Sequence, residues 1–183
     1  MRALVPVLTA AALAVLAFPV TDARAIKVGQ KAKPFQLKHS NGKLYTLDHP
    51  AFQGKKVMMM WYEGPKSNKQ NLWLKNELKS LWKTGRIPKH LWTSVGICNF
   101  QETAWPNFLV WLAIKKEQKK PTTLSPILGD PEGRMMRLYG FRSGRSNIYV
   151  FDKNRILRWK SSGPLNRKMG KRLIRLVRRL TRE

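Results

Sequence analysis

Lys56 to Tyr62 reads Lys-Val-Met-Met-Met-Trp-Tyr, an apolar run with one charge at its start. A continuous apolar run of strand length, without alternation, fits a strand covered on both faces. Such a strand needs a layer of structure on each side of its sheet. Trp92 to Cys98 reads as a second buried strand. Between the two, Glu63-Gly64-Pro65-Lys66 breaks the chain, and Ser67-Asn68-Lys69-Gln70 reads as a capping box in which Gln70 reaches back to the cap. Leu74, Leu78, Leu81 and Trp82 then recur at helical spacing and stop at Gly85. Strand, helix, strand is the pattern of a crossover connection.

The flanking segments extend this pattern. Phe35 to Lys38 alternates apolar and polar, Ser40-Asn41-Gly42-Lys43 carries a strong hairpin signal, and Leu44 to Leu47 returns as the second arm. Gly54 ends a short connector. Pro106 fits the first turn of a helix whose apolar face is expected to be Phe108, Leu109, Leu112 and Ala113. Leu124 to Leu128 reads as a short third strand. Asp130-Pro131-Glu132-Gly133 starts a short helix through Met135, Met136 and Leu138, closed by Gly140. Asn147 to Phe151 and Ile156 to Trp159 form a hairpin around Asp152-Lys153-Asn154. A last helix from Pro164 places Met169, Leu173, Leu176, Val177 and Leu180 on one stripe. The expected class is α/β, a mixed central sheet with helices on both faces and an N-terminal β-hairpin.

The first 25 residues stand apart. Arg2 precedes an almost wholly apolar stretch from Ala3 to Val20, and Ala23-Arg24-Ala25 offers a small-x-small cleavage site. The expectation is a signal peptide over 1–25, one domain over 26–183, and a periplasmic or secreted location. A membrane anchor is the competing reading, but the run is at the short limit for spanning and holds Pro6 and Pro19. Lys plus Arg number 36 against 10 Asp plus Glu, a net charge of +26. That field draws anions, so lipopolysaccharide, anionic lipid, acidic protein and nucleic acid are the candidate partners; a general solubility bias is the alternative. Cys98 is the single cysteine, which excludes an intramolecular disulfide, a CxxC pair and a Cys-based zinc site. His39, His49 and His90 show no ligand spacing, so no metal and no cofactor are expected.

Val28-Gly29-Gln30-Lys31-Ala32-Lys33-Pro34-Phe35, Asn41-Gly42-Lys43, and Gly54-Lys55-Lys56-Val57 with its strand through Trp61 together resemble the opening of the thioredoxin/peroxiredoxin superfamily. Gly129-Asp130-Pro131-Glu132-Gly133 to Tyr139-Gly140, followed by Tyr149 to Ile156, resembles its second half. Gly64 to Lys69, Ile87-Pro88-Lys89 and Val95 to Asn99 are similar to the YtfJ-like family of exported bacterial proteins, whose function is unsettled. The resemblance implies a thioredoxin-like domain over 26–183. It also implies a CxxC pair after the central strand, at a helix start that lowers a thiol's pKa. The matching window here, Pro65-Lys66-Ser67-Asn68, holds no sulfur, and the peroxiredoxin nucleophile of the same loop is missing too. The superfamily's cis-proline would fall near Ser146, where no proline stands.

Three functional classes follow. The first is a non-catalytic binding module of the cell envelope. The second is a single-cysteine, thiol-peroxidase-like enzyme acting through Cys98, which ends its strand where open α/β sheets bind ligands; the plain alternative is a packed thiol. The third is a polyanion-binding protein. Its anion-binding candidates are Lys66, Ser67, Asn68 and Lys69 beside Glu63 at the expected helix start. The others are Lys168, Lys171, Arg172, Arg175, Arg178 and Arg179 on the basic face of the last helix, with Arg167 and Arg182 at its ends.

Overall fold

The computed structural model describes residues 25–120, 123 and 125–183. The expected signal peptide, Ala25 apart, and Leu124 lie outside them. The central apolar run becomes β3 (Val57–Glu63), and every one of its residues is buried. Its side chains alternate between two cores. Met58, Met60 and Tyr62 enter one, with Met135 and Tyr139 of α3 (Arg134–Tyr139). Val57, Met59 and Trp61 enter the other, with Leu74 and Leu78 of α1 (Leu72–Lys83) and Leu173, Ile174 and Val177 of α4 (Arg167–Leu180).

β3 pairs in parallel with β4 (Trp92–Asn99), and β4 with β5 (Ile127–Asp130). β6 (Asn147–Phe151) lies antiparallel on the other side of β3 and carries β7 (Leu157–Ser162). The N-terminal hairpin, β1 (Gln36–His39) and β2 (Leu44–Thr46), joins through β5. The seven-stranded order is β2-β1-β5-β4-β3-β6-β7, with β2 and β7 as the outer strands. Ahead of β7's outer side, Gly29 N–H donates to Leu157 O and Leu157 N–H to Gln30 O, so residues 29–32 lie against its first turn of chain. This is the expected mixed sheet with helices on both faces.

Two expectations are corrected. The capping box is not formed: α1 starts at Leu72, after turns through 64–71, and Gln70 turns to Gly144 and Ser146 instead of back to Ser67. α2 (Asn107–Gln118) buries the opposite face from the one expected. Val110 and Ile114 pack inward with Phe100, whereas Phe108, Leu109, Leu112 and Ala113 are exposed. The two faces are equally apolar in sequence, so periodicity had no contrast on which to choose. Gly129 settles the packing: a Cβ there would lie 2.3 Å from the Trp111 ring, so α2 approaches β5 over bare backbone.

Candidate functional site

The loop after β3 is the place where the resemblance puts a CxxC pair. Here it holds a closed polar network. Glu63, the last residue of β3, accepts from Ser146 Oγ at 2.5 Å and from Lys75 Nζ at 2.5 Å. Asn71 donates to Ser146 Oγ (2.9 Å) and Gly163 O (3.0 Å), and its Oδ1 accepts from Leu165 N–H (2.8 Å). Ser146 N–H donates to Gln70 Oε1. Ser67 is fully buried; its Oγ accepts from Gly64 N–H and donates to Glu102 Oε2 at 3.0 Å. Glu102 Oε1 is buried with no hydrogen-bond partner among the described residues.

The anion candidates are therefore dispersed. Ser67 faces a carboxylate and no solvent, which removes it from the expected anion cradle. Asn68 gives its carbonyl to Lys75 Nζ, and Lys66 and Lys69 stay exposed at the surface. Burial pushes the Glu63 carboxyl above its ordinary range, against the pull of Lys75 and Ser146.

Cys98 lies beside Glu63 across the parallel β3–β4 pair. Burial, then Glu102, Glu63 and Asp130, push its thiol up to about 12. At neutral pH such a thiol stays protonated, and the thiolate is the reactive form. Asp130 is occupied elsewhere: it accepts from Arg134 and Met135 N–H at the start of α3 and from Tyr62 OH.

A groove of about 620 Å3 opens next to this network, between α1 and α2. Its floor is the outward row of the sheet, Trp61 and Glu63 of β3 with Trp92, Ser94, Gly96 and Cys98 of β4. Leu72, Lys75 and Lys79 line it from α1, Val110 and Ile114 from α2, and Trp105 stands at its edge. Lys75 sits 5.2 Å over the Trp61 ring. No local motif marks Glu102, Asn71 or Lys75 as members of this region, since each reaches it through a contact with a residue distant in the chain.

The basic residues of α4 divide from its apolar stripe as expected. Leu173, Ile174, Val177 and Leu180 are buried, and Lys168, Lys171, Arg172, Arg175, Arg178 and Arg179 are all exposed. Met169, expected on the stripe, is 37% exposed. Arg167 is held over the Trp73 ring at 4.4 Å.

No family model and no curated protein matches the chain. Solved structures do. A hypothetical protein from Sinorhizobium meliloti 1021 is 20% identical, with a TM-score of 0.63 over 87% of this chain and 86% of that one. The pneumococcal exposed lipoprotein thioredoxin Etrx1 of Streptococcus pneumoniae strain TIGR4 is 19% identical, with a TM-score of 0.54 over 80% and 99%. The mitochondrial 2-Cys peroxiredoxin of Plasmodium falciparum is 16% identical, with a TM-score of 0.55 over 82% and 92%. Identities this low speak to fold alone. With the strand order above, they show that this chain has the thioredoxin-like fold.

Proposed function

We propose that the chain is an exported, YtfJ-like binding module of the cell envelope that performs no dithiol chemistry and takes its ligand in the α1–α2 groove. One observation carries this reading. The Pro65–Asn68 window, where a working thioredoxin keeps its thiols, holds no sulfur and is flanked by the Glu63–Ser146–Asn71 network, while an apolar groove lies open beside it. Concave, mostly apolar clefts with a few fixed polar groups are the usual form of a ligand site. The N-terminal signal and the similarity to an exposed lipoprotein support the envelope location.

The test fills the floor. Gly96 has room for a Cβ in ordinary contact, its nearest neighbour being Ile127 at 3.7 Å. Gly96→Leu should abolish saturable binding of an apolar fluorescent dye and leave the fold intact. In parallel, hydroperoxide turnover should be absent from wild type. Turnover that vanishes in Cys98→Ser would replace this reading with the single-cysteine enzyme.

The outward face of α4 favours a second reading, polyanion binding, because six exposed cations share it and Glu183 at the chain end is the acid paired there, with Arg179 at 3.5 Å. Binding to heparin should then fall steeply with salt, as counterion release requires. Absence of affinity at low salt would remove it.

A further inference from the structure

α2 carries apolar side chains on both sides. Its inner side is accounted for by Val110 and Ile114. Its outer side presents Phe108 at 63% exposure, Leu112 at 57% and Leu109 at 39%, with Trp105 at 58% just ahead of the helix. These residues follow one another at helical spacing, so they form a patch and not scattered positions. Contiguous exposed apolar surface on a soluble fold marks an interaction site. The following turns of the same outward side carry Lys115, Lys116 and Lys119, all exposed. Glu117, the single acid of the helix, is held by Lys120 at 2.5 Å.

The outer side of α2 is thus apolar in its first half and cationic in its second. Aromatic and aliphatic groups that enter an acyl boundary, with lysines placed to reach phosphates, are the chemistry of a helix lying on an anionic bilayer. The net charge of +26 acts in the same direction and opposes a second copy of the chain on this face. We propose that α2 docks the protein on an anionic phospholipid surface. Trp105, Phe108, Leu109 and Leu112 enter the interface, and Lys115, Lys116 and Lys119 contact lipid phosphates. Trp105 also stands at the edge of the groove, but Phe108, Leu109, Leu112 and the three lysines do not line it, so variants at those positions test docking apart from the groove.

The test uses the chain starting at Ile26, which contains every strand, helix and buried apolar residue found among the described residues. Co-sedimentation is measured with phosphatidylglycerol-containing vesicles and with phosphatidylcholine vesicles alone. Binding is expected with the first and at least about tenfold weaker with the second. Phe108→Ser with Leu112→Ser should weaken binding at least about tenfold, since each removes interfacial apolar area. Lys115→Gln, Lys116→Gln and Lys119→Gln together should do likewise. Arg172→Gln, Arg175→Gln and Arg179→Gln in α4 should cost less. All the substituted side chains are exposed, so the melting temperature should not move, and a constant melt separates docking from folding. No binding to phosphatidylglycerol vesicles at low salt would overturn the proposal. So would loss of binding only in the α4 variant, or equal binding to neutral vesicles. A concentration-dependent dimer abolished by Phe108→Ser and Leu112→Ser would assign the face to a second copy instead.

Discussion

Cys98 gives the sharpest test of the site chemistry. The perturbation is alkylation of the native protein by iodoacetamide across a pH series. With its thiol pushed up to about 12 against an ordinary 9, the folded protein holds about a thousandfold less thiolate at pH 8 than a free thiol does. Restricted access slows the reaction further, because Cys98 sits on the groove floor beneath α2. Intact mass followed in time, with and without denaturant, reads the rate directly. The native rate should climb about tenfold per pH unit well beyond pH 9, whereas the denatured chain should level off near there. The sign for stability follows from the same shift. The folded state holds the proton more tightly, so this contribution is complete below pH 9 and is lost as pH rises toward 12; Cys98→Ser should not show that loss. A native rate that is fast at pH 7, or that levels off below pH 9, would refute the reasoning and restore Cys98 as a reactive centre.

Further outcomes follow from the packing around the site. Asn71→Ala removes the partner of Gly163 O and Leu165 N–H in the interior and one of the two partners of Ser146 Oγ, and should cost about 2–4 kcal/mol in denaturant unfolding. Gly129→Ala drives a methyl into Trp111, whose ring is fixed edge-on against Phe100 at 5.1 Å; it should cost about 1–3 kcal/mol and displace the near-UV circular dichroism of the tryptophans. Glu63 has a raised pKa in the folded state, so its own contribution to stability should be complete below its ordinary value of 4.5 and be lost as pH rises from there. Glu63→Gln should flatten that decline in a series of urea midpoints, even if its absolute stability is lower; an unchanged slope would count against burial as the dominant influence on this carboxyl.

Much of the sheet could be read in advance because its strands are unambiguous. Val57 to Tyr62 has one plausible use, Asn41-Gly42 one plausible turn, and Gly140 closes α3 in the left-handed region at φ 71° as a C-terminal glycine does. The side of α2 that faces the sheet could not be read, since Phe108, Leu109 and Leu112 compete with Val110 and Ile114 on equal terms. Its choice depends on Gly129, a residue about twenty positions away, leaving space for Trp111. The candidate site was legible in position and not in content. The end of β3 is where the resemblance placed it, yet Ser67 and Gln70, which suit a local cap, are drawn off by Glu102 and by Ser146 and Gly144. Local motifs lose to long-range partners when the alternative is an unsatisfied buried group.

The outer strands bear on how this protein behaves when crowded. β2 is three residues long. Along β7, Arg158 and Lys160 stand among the residues not fully buried, and the start of the strand is already paired with residues 29–32. Lys160 Nζ also reaches Ile26 O. A second molecule adding itself strand to strand would find one edge too short and the other partly capped and lined with like charge. Runaway sheet extension toward fibres is therefore blocked at both borders, which leaves an apolar core strand such as Val57–Glu63 safe to carry once the chain has folded.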